Sequence, residues 1–154
     1  DFKIKIEEFD YLLAFDAIRC KQLAIYSIEN AIEINNYDEH TLPHILDYLI
    51  ENDYKIAVTL IKQQLQKYRG LDYRYFTNAA ISVHDDEVFE VMFERLETDN
   101  SVFNTDYLTR AFLSLKDEEI NKRLIKTIKS NSSLKDRQIE KIKEIFKENN
   151  VAFE

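Results

Sequence analysis

The sequence predicts an all-α fold, a short α-solenoid of stacked antiparallel helical hairpins with about nine helices. Three observations carry that prediction. Three stretches repeat at a fixed 32-residue step: LDYLIENDYKIAVTLIKQQL over 46–65, NAAISVHDDEVFEVMFERLE over 78–97, and RAFLSLKDEEINKRLIKTIK over 110–129. Only one Gly and one Pro occur in 154 residues, whereas sheet turns, bulges and phosphate-cradling loops draw on both. Apolar residues recur three and four apart through most of the chain, the spacing of a helix with one buried face.

Without gaps, the step aligns Leu49, Ile81 and Leu113, then Asp53, Asp85 and Asp117, then Ile56, Val88 and Ile120. Leu60, Met92 and Leu124 follow, with Ile61, Phe93 and Ile125 beside them. Such units cannot bury their apolar faces alone, so they stack.

Taken in order, DFKIKI alternates apolar and polar residues as a short strand or an extended arm does. A helix is expected over 7–17, carried by Phe9, Leu12, Leu13 and Phe15, and another over 22–34, with Ile25, Ile28 and Ile32 on one face. Thr41 reads as the N-cap of a helix to Glu51, with Pro43 tolerated in its first turn. Asp53 opens a helix to Tyr68, which Gly70 stops. Asp72 opens one to Val83, and Asp85 one to Glu97. After the loop 98–101 a helix starts near Asn104, and Asp117 opens the next, to Lys129. Ser133 closes a polar loop and caps a final helix within 134–150. Projected back by one step, the repeat puts Ala17, Ala24 and Ile28 in the core; projected forward, it puts Ile145 there. The whole of 1–154 reads as one helical-repeat domain. The final helix, with Lys135, Asp136, Arg137, Lys141, Lys143, Glu144 and Lys147, has the charged face of a terminal cap, so a complete small protein is expected.

At 45% the hydrophobic content is too high for intrinsic disorder. The net charge of −8 disfavours nucleic acid and anionic membrane, which attract Lys and Arg. It suits a basic protein partner, or serves solubility alone. The lone Cys20 forms no internal disulfide, and no apolar run approaches the ~20 residues of a membrane span, so a cytoplasmic location is expected.

Candidate chemistry is sparse. His40 and His44 have the spacing of a zinc pair on a helix, but Pro43 intervenes and no third ligand is placed; polar residues at a helix start explain them. His84-Asp85 is not a catalytic dyad, because adjacent residues diverge on a helix. Asp53, Asp85 and Asp117 share one structural task, capping the second helix of each pair. No nucleophile elbow or phosphate loop is present. The expectation is a non-enzyme without metal, cofactor or small-molecule substrate.

The aromatics point to a surface. Nine Tyr accompany ten Phe. Tyr37-Asp38, Asp72-Tyr73, Tyr75 and Asp106-Tyr107 fall at or before the starts of first helices. Tyr combines contact area with a polar tip, so these seven residues are the expected partner-binding set. The alternative is that the rings pack between repeats with only the hydroxyl wet.

The stretch from Tyr73 to Glu97, above all His84-Asp85-Asp86-Glu87-Val88-Phe89-Glu90-Val91-Met92-Phe93, resembles the second half of an ankyrin repeat, and Thr41-Leu42-Pro43-His44 resembles a reordered form of that repeat's opening. Asn52, His84 and Lys116 stand where ankyrin repeats place Gly. The resemblance is to an ankyrin-like or HEAT-like hairpin stack over residues 41–129. In its acidity and small size the chain also looks like a bacterial immunity protein. That likeness implies an inhibitor of one basic toxin domain, such as a nuclease, by occlusion of its active or substrate-binding surface. The alternative is a helical-repeat adaptor.

Overall fold

A computed structural model of the chain describes residues 5–30, 40–67 and 73–153. Among these residues every regular element is helical. The helices are α1 (Ile6–Phe15), α2 (Ala17–Glu29), α3 (Thr41–Asn52), α4 (Tyr54–Lys67), α5 (Tyr73–Val83), α6 (Asp86–Thr98), α7 (Val102–Ser114), α8 (Glu118–Ser130) and α9 (Asp136–Glu148). The expected start at residues 1–4, the stretch 31–39 and Gly70 lie outside the described residues, while Ile6 already belongs to α1. No described helix is long and apolar enough to cross a membrane. Tertiary contacts cluster into two compact units, Asp1–Gln64 and Leu65–Glu154.

In the first unit, α2 packs against both α1 and α3. Phe9, Cys20, Ala24, Ile28, Ile45 and Leu49 are fully buried there. The Phe9 ring meets Tyr48 edge-on at 5.2 Å, and Cys20 Sγ lies 3.7 Å from the Phe9 carbonyl. Burial raises the Cys20 thiol pKa, so this sulfur behaves as a small core residue. Lys21 reaches the carboxylate of Asp53, and the Gln64 amide donates to the Glu29 carbonyl at 3.3 Å.

The sequence placed the break between the first two helices too late. Helix α2 begins at Ala17, not residue 22, because Asp16 accepts from Arg19 N at 3.0 Å and starts it five residues earlier. Ala17 consequently lies at an exposed helix start rather than in the core, whereas Ala24 and Ile28 are buried as the repeat projects. Helix α3 begins at Thr41 itself, with His40 as the flanking residue. Thr41 is thus the first helical residue and not the cap.

The second unit has the layered order of a repeat stack. First helices pack on first helices, α5 on α7 and α7 on α9, while α6 packs on α8. The projected core positions Met92, Leu124 and Ile145 are all buried. The Phe93 and Phe112 rings stack at 4.1 Å and 17° between α6 and α7. Helix α9 buries Gln138, Ile142, Ile145 and Phe146 and leaves its charged residues outside.

The 32-residue step continues into the loops. Asp99 Oδ1 accepts from Ser101 N at 2.7 Å, and 32 residues on Asn131 Oδ1 accepts from Ser133 N at 2.9 Å. Ser101 caps α7, so that helix begins at Val102 rather than near Asn104. Ser133 does not cap α9; it closes the Asn131 turn, and α9 starts instead from Lys135, whose N–H donates to Gln138 Oε1 at 3.1 Å.

Candidate protein-binding site

Asp85 and Asp117 set the site by fixing where α6 and α8 begin. Asp85 accepts from Glu87 N at 3.0 Å and Val88 N at 3.2 Å; Asp117 accepts from Ile120 N at 2.9 Å. Asp53 does the same work for α4, accepting from Ile56 N at 3.3 Å. From its start, α6 sets Asp86 and Glu90 one turn apart, with Phe89 and Phe93 on the neighbouring stripe. Helix α8 sets Glu119, Ile120 and Arg123 opposite them. These residues, with His84 and Asp117, line a groove of about 480 Å³.

The groove is acidic at its rim and aromatic beneath. Arg123 forks Glu90, Nη1 to Oε1 at 2.5 Å and Nη2 to Oε2 at 2.6 Å, and its guanidinium carbon lies 3.9 Å from the Phe93 ring centroid. Hydrogen bonding to Arg123 lowers the Glu90 pKa, and the same bonds raise that of Arg123. Both side chains remain about half exposed, at 56% and 46%, so the pair is open to competition from solvent and from other ions. Glu119 is paired with Lys122 at 2.6 Å. Counting Asp86, Glu90, Asp117 and Glu119 against Arg123, the lining carries a surplus of negative charge.

A larger groove, of about 700 Å³, lies between the start of α7 and α9, lined by Val102, Phe103, Arg137, Gln138, Glu140, Lys141 and Glu144. Its charges are mixed in sign, so it offers a basic partner no comparable attraction.

The expected binding set is dispersed. Tyr37, Asp38 and Asp72 lie outside the described residues. Tyr73 is not a surface anchor: it is fully buried, its hydroxyl donates to the Leu65 carbonyl at 3.2 Å, and burial lifts its phenol pKa well above the usual value. Its polar tip is satisfied inside the fold, which is how a Tyr can serve as core. Asp106 is not a free charge. It accepts from Arg110 Nε and from Lys141 Nζ, each at 2.8 Å, and its side chain is only 16% exposed. Tyr75 and Tyr107 are half-buried and occupy equivalent repeat positions on the packed helices α5 and α7. Arg74 covers the Tyr75 ring and donates to its hydroxyl at 2.7 Å.

The Glu90–Arg123–Phe93 arrangement escaped the sequence reading. A signal existed, since the 32-residue step sets residue 90 level with residue 122 on stacked helices and makes Arg123 a natural reach for Glu90. Among the described residues no group of three or more His, Cys, Asp and Glu is placed to hold a metal ion. His44 instead lies with Nε2 2.7 Å from Asp10 Oδ1.

Compared with protein-family models, curated proteins and solved structures, the chain matches none of them.

Proposed function

We propose that this chain is a non-catalytic protein-binding module, an inhibitor of the immunity-protein kind that occludes a basic surface of one partner, such as a nuclease toxin domain. The observation that carries this reading is the α6–α8 groove, where acidic side chains from two stacked helices surround a partly apolar lining. Unlike-charge surfaces speed encounter, and an apolar floor supplies the affinity that charge alone does not. Carboxylates at the rim would compete with phosphate for a basic cleft.

The test is capture from the source lysate with the full chain and with the double variant Asp86→Lys, Glu119→Lys, washed at low and then high salt. One basic protein retained by the parent chain and lost by the variant supports the reading. A basic protein held equally by both, or capture of acidic proteins alone, sinks it.

A second reading, a helical-repeat adaptor, is favoured by a different observation. Tyr11, Phe15 and Ile18 are 68–74% exposed on α1 and the start of α2, an apolar surface of the sort that marks interaction sites. Retention of many partners through these residues, unaffected by the charge reversal, would favour the adaptor.

A further inference from the structure

The α6–α8 groove holds more than a row of acids. Glu90 offers both carboxylate oxygens in one direction, and each takes a separate guanidinium nitrogen of Arg123 at 2.5 and 2.6 Å. The same guanidinium sits over Phe93, with its carbon 3.9 Å from the ring centroid. Phe93 is in turn held by stacking on Phe112 at 4.1 Å, and Phe89 packs edge-on against the same ring at 6.1 Å. A carboxylate fork beside a rigid aromatic face recognises a planar, delocalised cation and not a point charge, so it prefers Arg to Lys. The present occupant comes from α8 of the same chain and is half exposed, a seat that an incoming group can contest.

From this geometry we infer that Glu90 and Phe93 form an arginine-recognition site for the partner, which Arg123 fills in the free protein and yields on binding. The inference rests on the proposed docking of a basic partner in this groove, and it adds the identity of the cation. It also adds a device: while Arg123 sits on Glu90, the site is available only for the fraction of time that the fork is open, and apparent affinity falls to that fraction of its intrinsic value. Asp86 and Glu119 at the rim draw the partner in. The fork then discriminates among the cations it brings.

The experiment is an NMR titration of the full chain and of Arg123→Ala with two capped pentapeptides, Gly-Arg-Gly-Arg-Gly and Gly-Lys-Gly-Lys-Gly. Removing Arg123 deletes a positive charge, which strengthens any basic peptide alike, so the informative quantity is the ratio of the two affinities. The expected result is a gain of about tenfold for the arginine peptide in Arg123→Ala against about twofold for the lysine peptide, with shifts centred on Glu90 and Phe93. Adding Glu90→Gln to Arg123→Ala should return the two peptides to equal affinity while thermal unfolding stays cooperative. Equal gains for both peptides would overturn the arginine site and leave the basic-partner reading standing as simple charge attraction. Absence of shifts on α6 and α8 with either peptide and either protein would overturn both.

Discussion

The two units turn one helix into the next by different backbone routes. In the first, a single aspartate serves as the whole link at the α1–α2 and α3–α4 joints. Asp16 (φ −150°, ψ 80°) and Asp53 (φ −153°, ψ 74°) both end one helix and begin another. Each donates its N–H back into the finished helix, to Leu12 O at 2.7 Å and Leu49 O at 2.8 Å, while its carboxylate caps the next. In the second unit the work is divided. His84 and Lys116, at φ 48° and 54°, turn the chain in the left-handed region, and Asp85 and Asp117 then cap from extended backbone. The capping chemistry is constant and the backbone cost is not. An extended φ is open to any residue, whereas the left-handed region costs a residue with a Cβ about 1–2 kcal/mol.

Burial divides the aspartates more sharply than backbone does. Asp99 of the second unit is 5% exposed and accepts from Arg95 Nε at 2.6 Å, Ser101 N at 2.7 Å and Asn104 Nδ2 at 2.9 Å. The Arg95 side chain is itself only 12% exposed. Asp99→Ala takes the carboxylate from that guanidinium, which keeps its bond to the Gln66 carbonyl at 2.6 Å, and leaves the Ser101 and Asn104 donors without it, and should cost about 2–3 kcal/mol. Asp16→Ala removes an exposed cap and should cost about 1 kcal/mol. Urea denaturation followed by circular dichroism measures both. Similar losses would erase the distinction between buried and exposed aspartates.

The next effect separates two tasks within one aspartate. Asp53 caps α4 and also pairs with Lys21, whose hydrogen bond is the chief reason its folded pKa is lowered. A depressed folded value means that ionised Asp53 favours the native state above the unfolded pKa of about 4, and that this contribution disappears as pH falls through the lower folded value. Asn caps as well as Asp, so Asp53→Asn should keep the helix start and lose the acid sensitivity. Thermal melts between pH 7 and pH 2 should show a shallower acid decline in the variant. Parallel curves would mean that Lys21 contributes nothing beyond the cap.

How much of this was legible depended on whether a feature leaves a local mark. The second unit was read well because its repeats are spaced evenly: Met92 and Leu124 are buried where the step puts them, and Asp85 and Asp117 cap where an acid precedes an apolar run. The Asp16 link was missed because a one-residue turn carries none of the Gly, Asn and Ser that announce a loop. Tyr73 was misjudged because a phenol reads as amphipathic from sequence, and only the fold supplies the Leu65 carbonyl that lets it sit inside. Asp106 looked like a free acid because its partner Lys141 is 35 residues away, on α9. The Glu90–Arg123 fork was absent from the reading for a related cause, since the step gives the level of two side chains and not their rotamers.

The smallest predicted effect tests the backbone half of the comparison. If the left-handed turns carry strain, glycine should relieve it, offset by the extra freedom glycine gives the unfolded chain. Lys116→Gly should therefore stabilise by about 0.5–1 kcal/mol, because Lys116 is exposed. His84→Gly should gain less, since the imidazole meets Phe89 edge-on at 5.2 Å and 84°, a contact that glycine deletes. The difference between the two variants, read from their denaturation midpoints, isolates the ring contact from the backbone relief. A loss of stability in Lys116→Gly would show that the left-handed turn costs lysine nothing here. The two units would then differ in geometry alone, and the divided turn would be as unstrained as the single aspartate.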